Sequence, residues 1–204
     1  LYAYIDHIGN LYDMDCLSLF GTNSFNLVWE KICAEIMDNQ LDKQLGTLKL
    51  PQQLREKYNP KSKLIELIEK PLWTATGKTA NDTLIPDLIS ISGGTFIIFD
   101  AKYYNAKLEH NQTPKGQPGI ESVTKQYLYQ LAYQEFINEH GFSDVKNCFL
   151  LPTEKDEIEL KGEVSMKMLS NLGLRNIEVR FIPAKMVYEL YLMGRKMNLK
   201  KLEL

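Results

Sequence analysis

Asp87, Asp100 and Lys102 are the residues of this chain whose types and spacing could do chemistry. Twelve residues separate Asp87 from the run Asp100-Ala101-Lys102. Side chains alternate along a strand, so an extended run over 95–104 puts Phe96, Ile98, Asp100, Lys102 and Tyr104 on one face. Ile97, Phe99, Ala101 and Tyr103 fall on the other. Both faces of the first half are apolar, the pattern of a strand covered on both sides. Gly93-Gly94 suits a two-residue hairpin turn with positive φ at both positions. Such a turn pairs Ser92 with Thr95 and, counting outward, Asp87 with Asp100. Opposed residues share a face, so two carboxylates and a lysine converge where the apolar run ends.

Two facing carboxylates repel unless something positive neutralises them. Mg²⁺ does this well, because it takes hard oxygen ligands and uses one or two carboxylates while keeping several waters. Lys102 can then hold or deprotonate the attacking water, or stabilise developing negative charge. That is chemistry for phosphodiester hydrolysis. The same spacing also fits a solvated, charge-balanced strand end in which Lys102 simply pairs with both aspartates, and spacing alone leaves both readings open.

The elements that must position these residues can be read around them. Phe25, Val28, Trp29, Ile32 and Ile36 recur at helical spacing behind Gly21-Thr22-Asn23-Ser24, which predicts a helix over 24–39. A short helix is expected near 61–69 and a first strand over 71–76. Stronger strands follow over 84–91 and 95–104, and then a long polar loop over 105–119. A helix over 120–139, strands over 145–151 and 177–182, a further extended stretch within 158–168 and an amphipathic helix over 184–197 complete the chain. The order predicts an α/β (α+β) domain around a mixed sheet flanked by helices.

Composition bounds the rest. The chain has 204 residues, 44% hydrophobic and 25% charged, which excludes a disordered or collagen-like chain. No apolar run reaches the ~18–20 residues of a membrane span. Lys and Arg number 24 against 26 Asp and Glu, for a net charge of −2, so bulk charge does not hold nucleic acid. Cys16, Cys33 and Cys148 are far apart with no CxxC, and read as thiols of a reducing cytoplasm. His7, His110 and His140 show no metal spacing. No basic n-region and apolar h-region open the chain, so no secretory signal is expected. The start at Leu1 leads to the expectation of a C-terminal fragment of a longer bacterial protein: a linking hairpin over 1–20, a catalytic core over 21–153, and C-terminal strands and helix over 154–204.

Ile85-Pro86-Asp87 with Asp100-Ala101-Lys102 resembles the PD-(D/E)XK nuclease motif, with Asp100 where Glu is commoner. The run Gly21-Thr22-Asn23-Ser24-Phe25-Asn26-Leu27-Val28-Trp29-Glu30, together with Asp100-Ala101-Lys102-Tyr103-Tyr104 and Lys125-Gln126-Tyr127-Leu128-Tyr129, resembles the LlaJI restriction endonucleases. Those enzymes are similar to McrC, the nuclease partner of a GTP-driven AAA+ motor. The resemblance covers about residues 20–135 and implies roles. Asp87 and Asp100 would be ligands of Mg²⁺, with Mn²⁺ able to substitute, and Lys102 would position or activate water. Glu30 would support the site or reach the metal through water, and Gln126 would sit near the scissile phosphate. A McrB-like GTPase would be the partner, since this chain has no Walker-type Gly-x-x-x-x-Gly-Lys.

Candidate DNA contacts are Lys107, Lys115, Lys125 and Gln130, with Lys185, Arg195, Lys196, Lys200 and Lys201 further on. Gln126, Gln130 and Tyr133 form one helical stripe; a solvated face is the plainer reading of its two glutamines. A repair or recombination nuclease without a motor, and a non-catalytic assembly or DNA-binding module, are the competing functions.

Overall fold

The computed structural model describes residues 24–202; the hairpin expected over 1–20 lies outside them, as do Cys16 and His7. The order of elements is α1 (Phe25–Ile36), β1 (Leu72–Trp73), β2 (Lys78–Thr79), β3 (Leu88–Ser92), β4 (Thr95–Ala101), α2 (Ile120–Glu139), β5 (Asp144–Thr153), β6 (Glu159–Val164), α3 (Lys167–Ser170), β7 (Ile177–Pro183) and α4 (Ala184–Leu192), with short 3₁₀ turns between and after them. Five strands make one mixed sheet in the order β3-β4-β5-β7-β6. The hairpin pair β3–β4 and the outer pair β6–β7 are antiparallel, while β4–β5 and β5–β7 are parallel. This is the expected mixed sheet flanked by helices.

The sheet is covered on both faces. Leu88, Ile97, Phe99, Ala101, Cys148 and Leu150 pack under Trp29, Ile32 and Ile36 of α1 and Val187 of α4. On the opposite face, Ile89, Phe96 and Ile98 meet Tyr129, Tyr133 and Phe136 of α2. From Phe96 to Ala101 every β4 residue is buried. The alternation of two apolar sets along one short strand therefore builds both cores at once, and β4 cannot slip without reversing both.

Edges and ends have local causes. The free edge of β3 is paired by Gln40 N–H to Ile89 O (2.8 Å) and by Asn39 Oδ1 accepting from Ile89 N (3.1 Å), which blunts an edge that would otherwise recruit another strand. Helix α1 stops three residues short of the expected boundary, and Asp38 takes a positive φ of 55° just past it. Helix α4 also ends early. Gly194 at φ 62° closes a Schellman cap, with Gly194 N bonded to Tyr191 O and Arg195 N to Leu190 O. The strand expected over 71–76 does not join the sheet; it folds back on itself as the separate β1–β2 ribbon. The stretch within 158–168 divides into β6 and the single turn α3.

Candidate active site

The Gly93-Gly94 turn fixes the register. Both glycines have positive φ, 58° and 85°, and Ser92 pairs with Thr95. The ladder runs out to Leu88 opposite Phe99, so Asp87 and Asp100 stand one step beyond it, as the turn chemistry predicts. There the Asp87 side chain takes over from the backbone: its Oδ2 accepts from Ala101 N at 2.8 Å. Pro86 precedes it, and a proline has no N–H to add to a ladder. Lys102 N donates to Leu150 O at 2.9 Å, which holds the next residue against β5.

Lys102 Nζ lies 2.5 Å from Asp100 Oδ1 and 3.9 Å from Asp87 Oδ2. Side-chain exposure is 20% for Asp87, 6% for Asp100 and 19% for Lys102. The approach of Nζ to Asp100 Oδ1 is close but not aligned as a hydrogen bond, and among the described residues no other donor reaches that buried oxygen. Burial pushes the Asp87 carboxyl well up from its ordinary range, and a hydrogen bond shared with Asp100 and that group's charge push it further; the Lys102 ammonium opposes them. Removal from water, together with the repulsion of two facing carboxylates, is the physical content of that shift. For Lys102, burial disfavours the charged form, but the combined pull of Asp100, Asp87 and Glu30 outweighs it and raises the pKa.

Glu30 comes from α1. Burial raises its pKa, Lys102 lowers it and Asp100 raises it again, so it lies within the field of the group. Two carboxylates thus flank Lys102, and the charge of a third, Glu30, acts on it. All potential ligands are hard oxygens, and two carboxylates suffice for Mg²⁺. Among the described residues no ready-made cage of three or more His, Cys, Asp or Glu groups is present. The residues fit a hard divalent cation that keeps most of its own water.

The other sequence-read residues separate. Gln126 is fully buried. Its Nε2 donates to Ile98 O at 3.1 Å and lies 3.5 Å from Cys148 O, and its Oε1 has no hydrogen-bond partner. It is on neither a solvated face nor an open surface, but pins α2 to β4 two residues before Asp100. Gln130, expected at a DNA surface, is 4% exposed and accepts from Arg175 N (3.0 Å) and Asn147 Nδ2 (3.4 Å). The reason for the difference is Asn147, a buried amide in mid-β5 that draws polar partners from α2. Lys107, Lys115 and Lys125 are exposed. The first two pair backbone to backbone across their loop, and Lys125 pairs with Glu121 at 2.6 Å. Lys196 binds Glu35 at 2.5 Å. His140 is buried, with Nδ1 donating to Phe136 O and Nε2 accepting from Arg55 N, so it is a satisfied core histidine. Cys33 and Cys148 are buried free thiols.

Tyr129 was missed by sequence reasoning. Its hydroxyl donates to Ile85 O at 3.0 Å, and both Asp100 and Asp87 add to the burial that raises its pKa. Its place three residues after Gln126 was the available signal.

The model of the LlaJI restriction endonuclease family matches residues 55–188. The chain belongs to the LlaJI restriction endonuclease family. It is also 30% identical to YdjA, a component of the Type II restriction enzyme BsuMI of Bacillus subtilis (strain 168), over 86% of this chain and 34% of YdjA. The chain therefore spans about a third of the length of that relative. No solved structure matches. The family match takes in Asp87, Asp100, Lys102 and Gln126, while Glu30 precedes it.

Proposed function

We propose that this LlaJI-family chain is a Mg²⁺-dependent endonuclease domain of the PD-(D/E)XK type that hydrolyses phosphodiester bonds of DNA. The observation that carries the reading is the convergence of Asp87 and Asp100, partly buried and short of positive charge, with Lys102 beside both. Asp87 and Asp100 would hold the cation. When bound there, Mg²⁺ supplies positive charge for the phosphoryl oxygens and lowers the pKa of water.

The remaining contributions come from the chain itself. Lys102 enters as an ammonium, because the carboxylates around it keep it protonated. It is suited to hold the attacking water or the scissile phosphate and to offset developing negative charge, rather than to take up a proton. Glu30 adds an acceptor from the α1 side. Gln126 and Tyr129 act as positioning residues: the first ties α2 to β4 at Ile98, the second ties it to Ile85 beside Asp87. Placement within a restriction system, acting with a McrB-like GTP-driven motor, belongs to the same proposal. It is supported by the likeness to a component of a restriction enzyme and by the McrC-like motifs.

The test is cleavage of plasmid DNA by the purified chain, with its partner where needed, in Mg²⁺ and in EDTA. Cleavage is expected in Mg²⁺ or Mn²⁺ and lost in Asp87→Ala and Lys102→Ala. Unchanged cleavage in both variants sinks the assignment. Stimulation by GTP on adding a co-purifying subunit checks the motor.

A further inference from the structure

Residues 71–79 are all exposed, and they include Leu72 and Trp73, each 63% exposed. They form the β1–β2 ribbon, which neither joins the main sheet nor packs on a core. An isolated two-stranded hairpin is marginal in water, and large apolar groups left outside mark a contact surface. Yet this ribbon is held by its own backbone bonds. Trp73 O accepts from Gly77 N (2.9 Å), Thr76 N (3.0 Å) and Thr76 Oγ1 (3.1 Å). Gly77 holds a φ of 63° that other residues resist. The foot is closed by Ala80 N to Pro71 O (2.7 Å) and Thr83 Oγ1 to Glu69 O (2.6 Å).

Register and charge say what the ribbon fits. Trp73 is directly opposite Lys78, so an indole and an ammonium leave the same face. The exposed ribbon itself, residues 71–79, carries Lys78 and no carboxylate, while Glu69 and Asp82 flank its foot. A cation and an indole on one face, with no carboxylate between them, suit a phosphate backbone. Protein interfaces deplete lysine at their centres, whereas a DNA backbone requires cations.

The ribbon also leads into the site. Thr83 stands four residues before Asp87, a span of at most about 14 Å. Between them the Ile85 backbone is tied to α2 by Tyr129. A two-stranded ribbon enters the DNA major groove, about 12 Å wide.

Resting on the nuclease reading above, we infer that the β1–β2 ribbon contacts duplex DNA and sets it beside the carboxylate pair. Lys78 takes a phosphate, and Trp73 and Leu72 give apolar contact to sugar or base edges.

The test uses the 204-residue chain, a mixed-sequence duplex oligonucleotide at low salt, and Ca²⁺ in place of Mg²⁺. Trp29 is fully buried, so Trp73 carries the solvent-sensitive emission. Duplex is expected to change that emission. Trp73→Phe should keep binding and lose the signal. The double variant Trp73→Ala, Lys78→Glu should bind about tenfold more weakly, with its salt slope reduced by about one, and with unchanged circular dichroism and Tm. Equal affinity in wild type and double variant overturns the proposal, and is the result expected if the ribbon instead seats another protein. Absence of duplex binding, or of any emission change at saturation, overturns it too. The two readings fail separately. Ribbon-dependent binding without Mg²⁺ cleavage defeats the nuclease alone. Cleavage lost in Asp87→Ala, with ribbon variants binding as tightly as wild type, defeats the ribbon alone.

Discussion

Two clusters of buried charge lie in the same sheet and are built on opposite rules. In the first, Glu178 and Arg180 on β7 are 8% and 3% exposed. Arg180 Nε donates to Glu178 Oε2 at 2.8 Å, and Lys146 Nζ donates to Oε1 at 3.0 Å, so one carboxylate is met by two cations with aligned hydrogen bonds. In the second, Asp87 and Asp100 share Lys102 within the field of Glu30, and Asp100 Oδ1 has no aligned donor among the described residues. The first cluster closes on itself and needs nothing more. The second is short of positive charge, and a folded protein tolerates that only where the carboxylates keep a proton or a cation arrives. The contrast separates charge that serves the fold from charge held for chemistry.

Breaking the second cluster should give the largest effect. Asp87→Ala or Lys102→Ala is expected to lower Mg²⁺-dependent cleavage by about 10³-fold or more, read as initial rates on plasmid, while DNA binding in Ca²⁺ persists. The first cluster answers differently. Removing Arg180 alone, as Arg180→Met, strands Glu178 and should cost about 3–5 kcal/mol in urea unfolding. Replacing both, as Glu178→Leu with Arg180→Met, should recover most of that loss. A double change that stays as unstable as the single one would show that the network is more than a closed ion pair.

Mg²⁺ and pH sharpen the same comparison. The folded-state pKa of Asp87 is raised, so the folded protein binds more protons than the unfolded chain above pH ~4. Its contribution is fully present below that pH and is lost as pH rises through the raised value. In EDTA, thermal stability should therefore fall with rising pH, and Asp87→Asn should flatten the slope. Mg²⁺ at 100 times its Kd should restore about 2.7 kcal/mol, and should do so in wild type but not in Asp87→Asn. The smallest effect expected is that of Tyr129→Phe. It loses the bond to Ile85 O for about 1 kcal/mol of stability, and lowers cleavage through misplacement of Asp87 more than it lowers DNA affinity.

Much of the catalytic hairpin was legible because its causes are local. Gly93-Gly94 permits the positive φ values of a tight turn, and counting outward from Ser92 and Thr95 reaches Asp87 and Asp100 without any long-range information. Helix α2 was legible at about 120–139, where Val123, Tyr127, Tyr133 and Ile137 recur at helical spacing and are buried, although Ile120 and Leu131 of the same stretch stay exposed. Gln126 and Gln130 were not. Polar residues on a helix read as solvated, and only Asn147, in a strand that follows the helix, makes their inward stripe a buried polar ladder. Strand 71–76 misled for a related reason: its residues have strand propensity, but no buried face of the molecule receives them.

By itself, then, the sequence determined the register of β3 against β4, the identity of the three groups at its end, and the family to which they belong. Steric limits on φ and the two-residue alternation of strands act between near neighbours and survive in a linear reading. Tertiary structure alone decided how far Asp87 and Asp100 are buried, that Lys102 stays protonated among the carboxylates that act on it, and that the β1–β2 ribbon stands apart from the main sheet. Those depend on desolvation and on charges brought together from distant segments, and neither exists until the chain has folded.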